Sequence, residues 1–317
     1  MSLTADGVVD RVLEASGPLG WTRVGRALRH RLAGVDAADP DHDLTGRRYV
    51  VTGGTRGIGI ATATLLARLG ADVTVVGRDP DRTERARLLV GDATGNRNVT
   101  AFAADLTDPA AARTLGHALL DGAPITGLVH NAGAVHGANG SGTPATGIAV
   151  GAHVLTATVR AALSAGSTVV WMSSGVQYLA RSPLGGSYAA TKRAEVLLAR
   201  AWARRLAPAG VAVHATHPGI VDTRVAADVL GPLHGPLRPL LRTPGDAAAD
   251  LVWLLTEPSA ARHSGAFWHD RAPRATDRRP GAVDRLDDEA ERLWDALESH
   301  LEPDGAQENS GSVHHGK

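Results

Sequence analysis

From Arg48 to about Trp268 the chain alternates short apolar runs with longer stretches in which apolar residues recur every three to four positions. Short β-branched or apolar runs bounded by turn residues read as strands, and the 3.6-residue recurrence reads as helix. This predicts strands at 48–52, 72–76, 99–103, 126–130, 167–172, 211–215 and 265–268, and helices notably at 57–69, 109–120, 148–164, 186–206 and 245–256. Strands alternating with helices imply an α/β fold, a single doubly wound Rossmann-type domain whose parallel sheet is covered by helices on both faces.

The two ends of the chain follow other patterns. In residues 1–44, Trp21, Val24, Leu28 and Leu32 recur at helical spacing with Arg23, Arg26, Arg29 and Arg31 on the remaining faces. This predicts a helical extension packed on the main domain through its apolar stripe, the alternative being a basic amphipathic helix lying on a membrane. Pro40, the aspartates around it and Gly46 mark a linker, so the main domain spans 45–302. Residues 303–317 are polar and turn-rich, which predicts a disordered tail in which His314 and His315 make no metal site.

Composition narrows the function class. With 33 basic and 33 acidic side chains the formal net charge is zero, so nothing draws the whole chain to nucleic acid, and a small-molecule partner is expected. The chain has no cysteine, no signal-peptide pattern and no apolar run of the ~18 residues that a membrane span needs. A soluble, cytoplasmic protein is the expectation. Only Lys192 and Lys317 are lysines, so a lysine at 192 stands out against 31 arginines.

The first predicted strand runs into Thr52-Gly53-Gly54-Thr55-Arg56-Gly57-Ile58-Gly59 and then a helix. Glycines at such a turn let the backbone approach a pyrophosphate, whose charge meets the N–H groups of the new helix. An NAD enzyme usually places an acid at the end of the second strand to bind the ribose 2′-hydroxyl. Here Gly77 stands there, Arg78 follows and Arg56 lies in the glycine turn, so two guanidiniums could meet a 2′-phosphate and NADP(H) is the expected cofactor. Tyr188 and Lys192 are four residues apart on one helix face. A free phenol ionises near pH ~10, so acid–base work near neutrality asks for a positive neighbour of this kind. Ser174 ends the fifth strand, at the sheet edge where ligands bind in open α/β folds, and could donate a hydrogen bond to a substrate oxygen.

Together these motifs resemble the short-chain dehydrogenase/reductase superfamily from about Asp43 to about Asp270. The resemblance implies strand order 3-2-1-4-5-6-7, hydride transfer at nicotinamide C4, and Ser174, Tyr188 and Lys192 as the catalytic triad. It adds Asp105-Leu106 as the pair that contacts adenine, Asn131-Ala132-Gly133 beside the cofactor, and Pro218-Gly219 with Thr223 at the nicotinamide end. Tyr188 and Lys192 join the cofactor set through the same resemblance, together with Thr52, Gly53, Thr55, Arg56, Gly57, Ile58, Gly59 and Arg78. A homodimer or homotetramer through helices 148–164 and 186–206 is implied as well. The N-terminal preface, Thr191-Lys192-Arg193-Ala194-Glu195 and the ending Phe267 to Arg274 are similar to the dehydrogenase/reductase member-twelve-like group.

One position departs from the family. Ile148 stands where a catalytic asparagine usually holds the proton-relay water, which makes His153 a candidate for that task. The Pro- and Leu-rich stretch from Val229 to Leu241 resembles a substrate lid. The expected activity is reversible reduction of a ketone or aldehyde to an alcohol on a fairly apolar small molecule, with no metal. Redox-neutral chemistry on the same scaffold, or a catalytically silent NADP-binding protein, are the alternatives.

Overall fold

The computed structural model describes residues 10, 12–14, 16–32, 42–133, 147–277 and 282–301. The proposed tail at 303–317 lies outside them, as does much of the preface. Eight strands form one sheet in the order β3-β2-β1-β4-β5-β6-β7-β8. They are β1 (Arg48–Thr52), β2 (Asp72–Gly77), β3 (Val99–Ala103), β4 (Ile125–His130), β5 (Leu163–Met172), β6 (Ala212–Thr216), β7 (Phe267–His269) and β8 (Ala272–Arg274). The first seven are parallel, in the order that the resemblance implied. The short β8 runs antiparallel to β7. Its turn, Asp270-Arg271, holds both residues at positive φ (50° and 56°) without glycine or asparagine, so no turn signal in the sequence marks the hairpin.

The principal helices are α1 (Arg23–Leu32), α2 (Gly57–Arg68), α3 (Pro80–Thr94), α4 (Pro109–Leu120), α5 (Gly147–Val159), α6 (Tyr188–Leu206), α7 (Arg224–Leu230), α8 (Pro244–Thr256) and α9 (Ala282–Leu297). Leu65, Leu66, Val90, Leu251 and Leu255 bring α2, α3 and α8 to one face of the sheet. On the other face Leu115, Leu155, Leu197 and Leu293 bring in α4, α5, α6 and α9. The strand residues are apolar on both sides because both faces are covered.

Two boundaries differ from the sequence reading by more than two residues. The helix predicted to reach 164 stops at Val159, and β5 begins at Leu163 instead of 167. Side chains hold that early start: Ser167 Oγ donates to Ile125 O at 2.7 Å and accepts from Ser164 N at 3.0 Å. In the N-terminal element the predicted apolar stripe docks only in part, through half-buried Trp21. Val24 and Leu28 are exposed, while Thr22, Gly25 and Arg29 are buried, and the Leu32 side chain lies outside the described residues. A fully buried arginine inverts hydrophobic periodicity, and ion pairing is what permits it.

Helix α9 lies along α6. Trp294 packs edge-on against Trp202 with centroids 4.9 Å apart, and the Arg205 guanidinium sits 3.6 Å over the Trp294 ring. Arg193 pairs with Glu289 at 2.6 Å, Arg200 with Asp287 at 2.6 Å and Arg205 with Glu291 at 2.7 Å. Among the described residues no helix is long and apolar enough to cross a membrane.

Candidate active site

The glycine turn forms where β1 feeds α2. Gly53 adopts φ +64°, and a Cβ on Gly59 would lie 2.2 Å from Gly53 O and 2.6 Å from Asn131 Nδ2. Only hydrogen fits there, so the first turn of α2 presses against the strand end with its N–H groups open to the rim. Asn131 ties the turn to β4, donating from Nδ2 to Thr52 O and Gly53 O at 3.2 Å each. Asn131 N and Ala132 N both donate to Thr52 Oγ1. Across the rim, a Cβ on Gly57 would lie 3.4 Å from the Thr223 methyl, so Thr223, the N-cap of α7, faces the glycine turn. The tertiary fold therefore brings Thr52–Gly59, Asn131–Gly133 and Thr223 together along one groove at the rim, where the crowded glycines allow the close backbone approach that a dinucleotide pyrophosphate needs.

The acid-free end of β2 has a steric basis. A Cβ on Gly77 would come within 2.4 Å of both Thr55 Cγ2 and Thr83 Oγ1, so a carboxylate side chain has no room. The same contact brings Thr55 beside Gly77, and hence their exposed neighbours Arg56 and Arg78 to one side of the groove. Neither arginine has an ion-pair partner among the described residues. Asp105 holds its own turn, its Oδ1 accepting from Thr107 N and Oγ1, and Leu106 is buried where α5 crosses at Gly151.

The residues that the sequence put forward for chemistry lie around the ends of β4 and β5 and the start of α6. Ser187 caps α6 by accepting from Ala190 N at 3.1 Å, which starts the helix at Tyr188. Tyr188 is half-buried, and Lys192 Nζ lies 5.5 Å from its ring centroid. The Lys192 ammonium donates to Met172 O at 2.9 Å, two residues before Ser174. A Cβ on Gly133 would lie 3.4 Å from that nitrogen, which sets Lys192 beside the end of β4. Ser174 Oγ accepts from Val176 N at 3.4 Å, so its own proton remains free to be donated.

Sequence reading missed one member of this cluster. Glu195 is 3 % exposed, one helical turn beyond Lys192 and 2.9 Å from its Nζ, with Oε2 buried and lacking a hydrogen-bond partner. Burial pushes its carboxyl up to about 7 against the pull of Lys192. Burial works hardest against the Lys192 ammonium, but the charge of Glu195, the neighbouring Tyr188 and the hydrogen bond to Glu195 together outweigh it and raise the lysine above its ordinary value. An acid three residues after Lys192, on the same helix face, was the available signal.

Ile148 is partly buried against the core and offers no polar atom. His153 does not fill the relay position. It is wholly buried between Trp202 and Trp294, its Nδ1 accepts from Trp202 Nε1 at 3.1 Å, and burial holds its imidazole down to about 4. It is a packing residue. Among the described residues no group of acids and histidines could hold a metal.

A sequence model of the short chain dehydrogenase family matches residues 47–231. The chain is 32 % identical over 262 residues to dehydrogenase/reductase SDR family member 12 of Bos taurus, covering 75 % of this chain and 81 % of that one. It is 30 % identical over 249 residues to a Streptomyces sp. (strain C5) protein provisionally named daunorubicin C-13 ketoreductase, covering 73 % and 86 %. A short chain dehydrogenase from Burkholderia cenocepacia J2315, solved in complex with NADP, aligns with TM-score 0.59 and 27 % identity over 73 % of this chain and all of the other. Fold and sequence together define an α/β oxidoreductase of the nicotinamide-dependent kind. The chain belongs to the short-chain dehydrogenase/reductase family and is similar to its member-12 proteins.

Proposed function

We propose that the protein is an NADP(H)-dependent oxidoreductase that interconverts ketones or aldehydes with alcohols on a fairly apolar small molecule. The observation that carries this reading is the convergence of Tyr188, Lys192 and Ser174 at the ends of β5 and α6, next to the groove closed by the glycine turn. Bound NADPH would supply hydride to the carbonyl carbon. Ser174, with a lone pair engaged by Val176 N–H, donates a hydrogen bond to the carbonyl oxygen, and Tyr188 transfers the single proton as negative charge develops there. Lys192, kept charged by Glu195, stabilises the phenolate left behind. Glu195 also offers an acceptor next to the lysine where Ile148 offers none.

Arg56 and Arg78, exposed on one side of the groove, supply the preference for a 2′-phosphate, and the NADP complex of the Burkholderia relative is consistent with it. Exposed Val229, Leu233 and Leu240 on the lid-like segment, and the ketoreductase name of the Streptomyces relative, support an apolar carbonyl substrate. A cytoplasmic dimer or tetramer remains part of the proposal. Because α9 already covers α6, self-association there would use α9 as the contact surface. Ile148 favours a second reading, redox-neutral chemistry on the same scaffold.

A panel of carbonyls and alcohols followed by nicotinamide absorbance and product analysis decides between the two. Tyr188→Phe should lower kcat at least ~1,000-fold with NADPH affinity held within about 2-fold, since it removes the acid and keeps the ring. Substantial turnover by Tyr188→Phe, or product formed without nicotinamide oxidation, would overturn the reductase reading.

A further inference from the structure

The N-terminal element reaches the reaction site through Trp21. Its carbonyl accepts from Ile220 N at 2.9 Å and from Arg242 Nε at 2.9 Å, so it is tied to the loop carrying Pro218 and Gly219. Its indole closes on the residue after Ser174: a Cβ on Gly175 would lie 2.6–2.9 Å from three atoms of the ring. On its other side the ring meets His217, next to Pro218, edge-on with centroids 4.7 Å apart. Trp21 thus bridges the ends of β5 and β6, the two strand ends that bear the hydroxyl donor and the nicotinamide-contacting loop, and it is only half-buried.

This placement is enforced by buried charge. Arg29, 1 % exposed, donates to Gly20 O at 2.7 Å and to Asp270 at 2.6 Å, while Arg242 donates to Gly20 O at 3.3 Å and pairs with the same Asp270. Arg26 binds Asp246 at 3.1 Å and Asp250 at 3.3 Å on α8. The peptide immediately before Trp21 is therefore gripped by two guanidiniums that share one carboxylate. An indole on a backbone held so firmly, packed against the residue that follows the hydroxyl donor, limits what can lie beside that strand end.

We propose that Trp21 is a specificity-determining residue, the aromatic wall of the substrate pocket next to Ser174, which admits flat or slender apolar carbonyl compounds and rejects bulky ones. The inference rests on the reductase reading and deepens it. Removing the indole opens the pocket without touching the groove closed by the glycine turn, so substrate range changes while cofactor affinity does not.

The test compares the full-length protein with Trp21→Ala and Trp21→Phe on a series from acetophenone to polycyclic ketones, with NADPH titrated in parallel. Trp21→Ala should raise kcat/KM for the bulkiest ketone relative to acetophenone about 10-fold or more, within the range that a changed apolar pocket contact supplies. Trp21→Phe should lie between it and the unmutated protein, and NADPH affinity should stay within about 2-fold in both. An unchanged ratio in variants that keep their thermal transition and NADPH affinity overturns the wall. So does loss of the thermal transition in Trp21→Ala if Trp21→Phe is folded with an unchanged ratio. If the unmutated protein turns over no carbonyl or alcohol, the reductase reading falls by itself. The wall is then read from saturation transfer to acetophenone on the NADPH-loaded protein. Transfer that Trp21→Ala abolishes supports it, and transfer retained in that variant, or absent in the unmutated protein, overturns it.

Discussion

The two halves of the rim at the C-terminal ends of the strands are built by opposite means. The half formed by β1, β2 and β4 uses backbone: glycines at 53 and 59 too crowded for a Cβ, and an asparagine holding strand carbonyls. The half formed by β6, β7 and the N-terminal element uses buried charge, with Arg29 and Arg242 on Asp270. The glycine turn itself is encoded locally and leaves helix N–H groups at the rim, which suits an anionic cofactor. A buried ion network draws on partners up to 241 positions apart and fails if one is removed, which suits a wall that must be rigid.

The largest effect should come from breaking the charged half. Asp270 is almost wholly buried, and although burial raises its carboxyl, His269, Arg242 and Arg29 hold it well below the usual carboxylate range. Asp270→Asn leaves two guanidiniums without their shared anion and should cost about 3–5 kcal/mol of stability. Thermal denaturation measures the loss, and hydrogen exchange should rise first over 16–32 and 267–274. A cost below about 1 kcal/mol, with exchange unchanged there, would show that the two halves are not built differently.

Acid should weaken both halves together. Burial holds His130 on β4 down to about 3, and His153 on α5 and His214 on β6 down to about 4. Depressed folded-state values mean that their contribution is present above the unfolded value near 6.5 and is lost as pH falls toward 4. Each costs at most about 1.4 kcal/mol per pH unit over that window. Glu195, raised to about 7, acts oppositely, since its contribution is present below the unfolded value near 4.5 and lost as pH rises through 7. One group cannot offset three, and His217 and His269, held down by burial as well, add to the loss, so lowering pH from 7 to 5 should reduce stability by at least about 3 kcal/mol, seen as a Tm fall of several degrees. A flat Tm over that interval would show that these imidazoles are not held neutral.

The smallest effect belongs to the backbone-built half. Arg78→Ala removes an exposed guanidinium without a partner among the described residues, so stability should stay within about 0.5 kcal/mol. The preference for NADPH over NADH, expected to be at least ~10-fold or about 1.4 kcal/mol, should largely disappear. Fluorescence titration of both cofactors measures it, and equal affinities in the unmutated protein would remove the cofactor assignment.

Most of the nucleotide side of this protein was legible in one dimension. Strand, glycine turn and helix follow one another between Arg48 and Arg68, and Tyr188 and Lys192 share a face because four residues make a turn. The α/β class came from the same local periodicities, and the strand order from the family resemblance that these motifs carry. Glu195 was present as a residue but not as a partner, because only the closure of α6 on β5 buries it against Lys192. Apolar spacing in the N-terminal element pointed to Val24 and Leu28, and the fold instead buried Arg29. Hydrophobic periodicity reports which side chains leave water without compensation. It cannot report a charge whose compensation, here Asp270, lies at the other end of the chain and becomes its neighbour only when the sheet is complete.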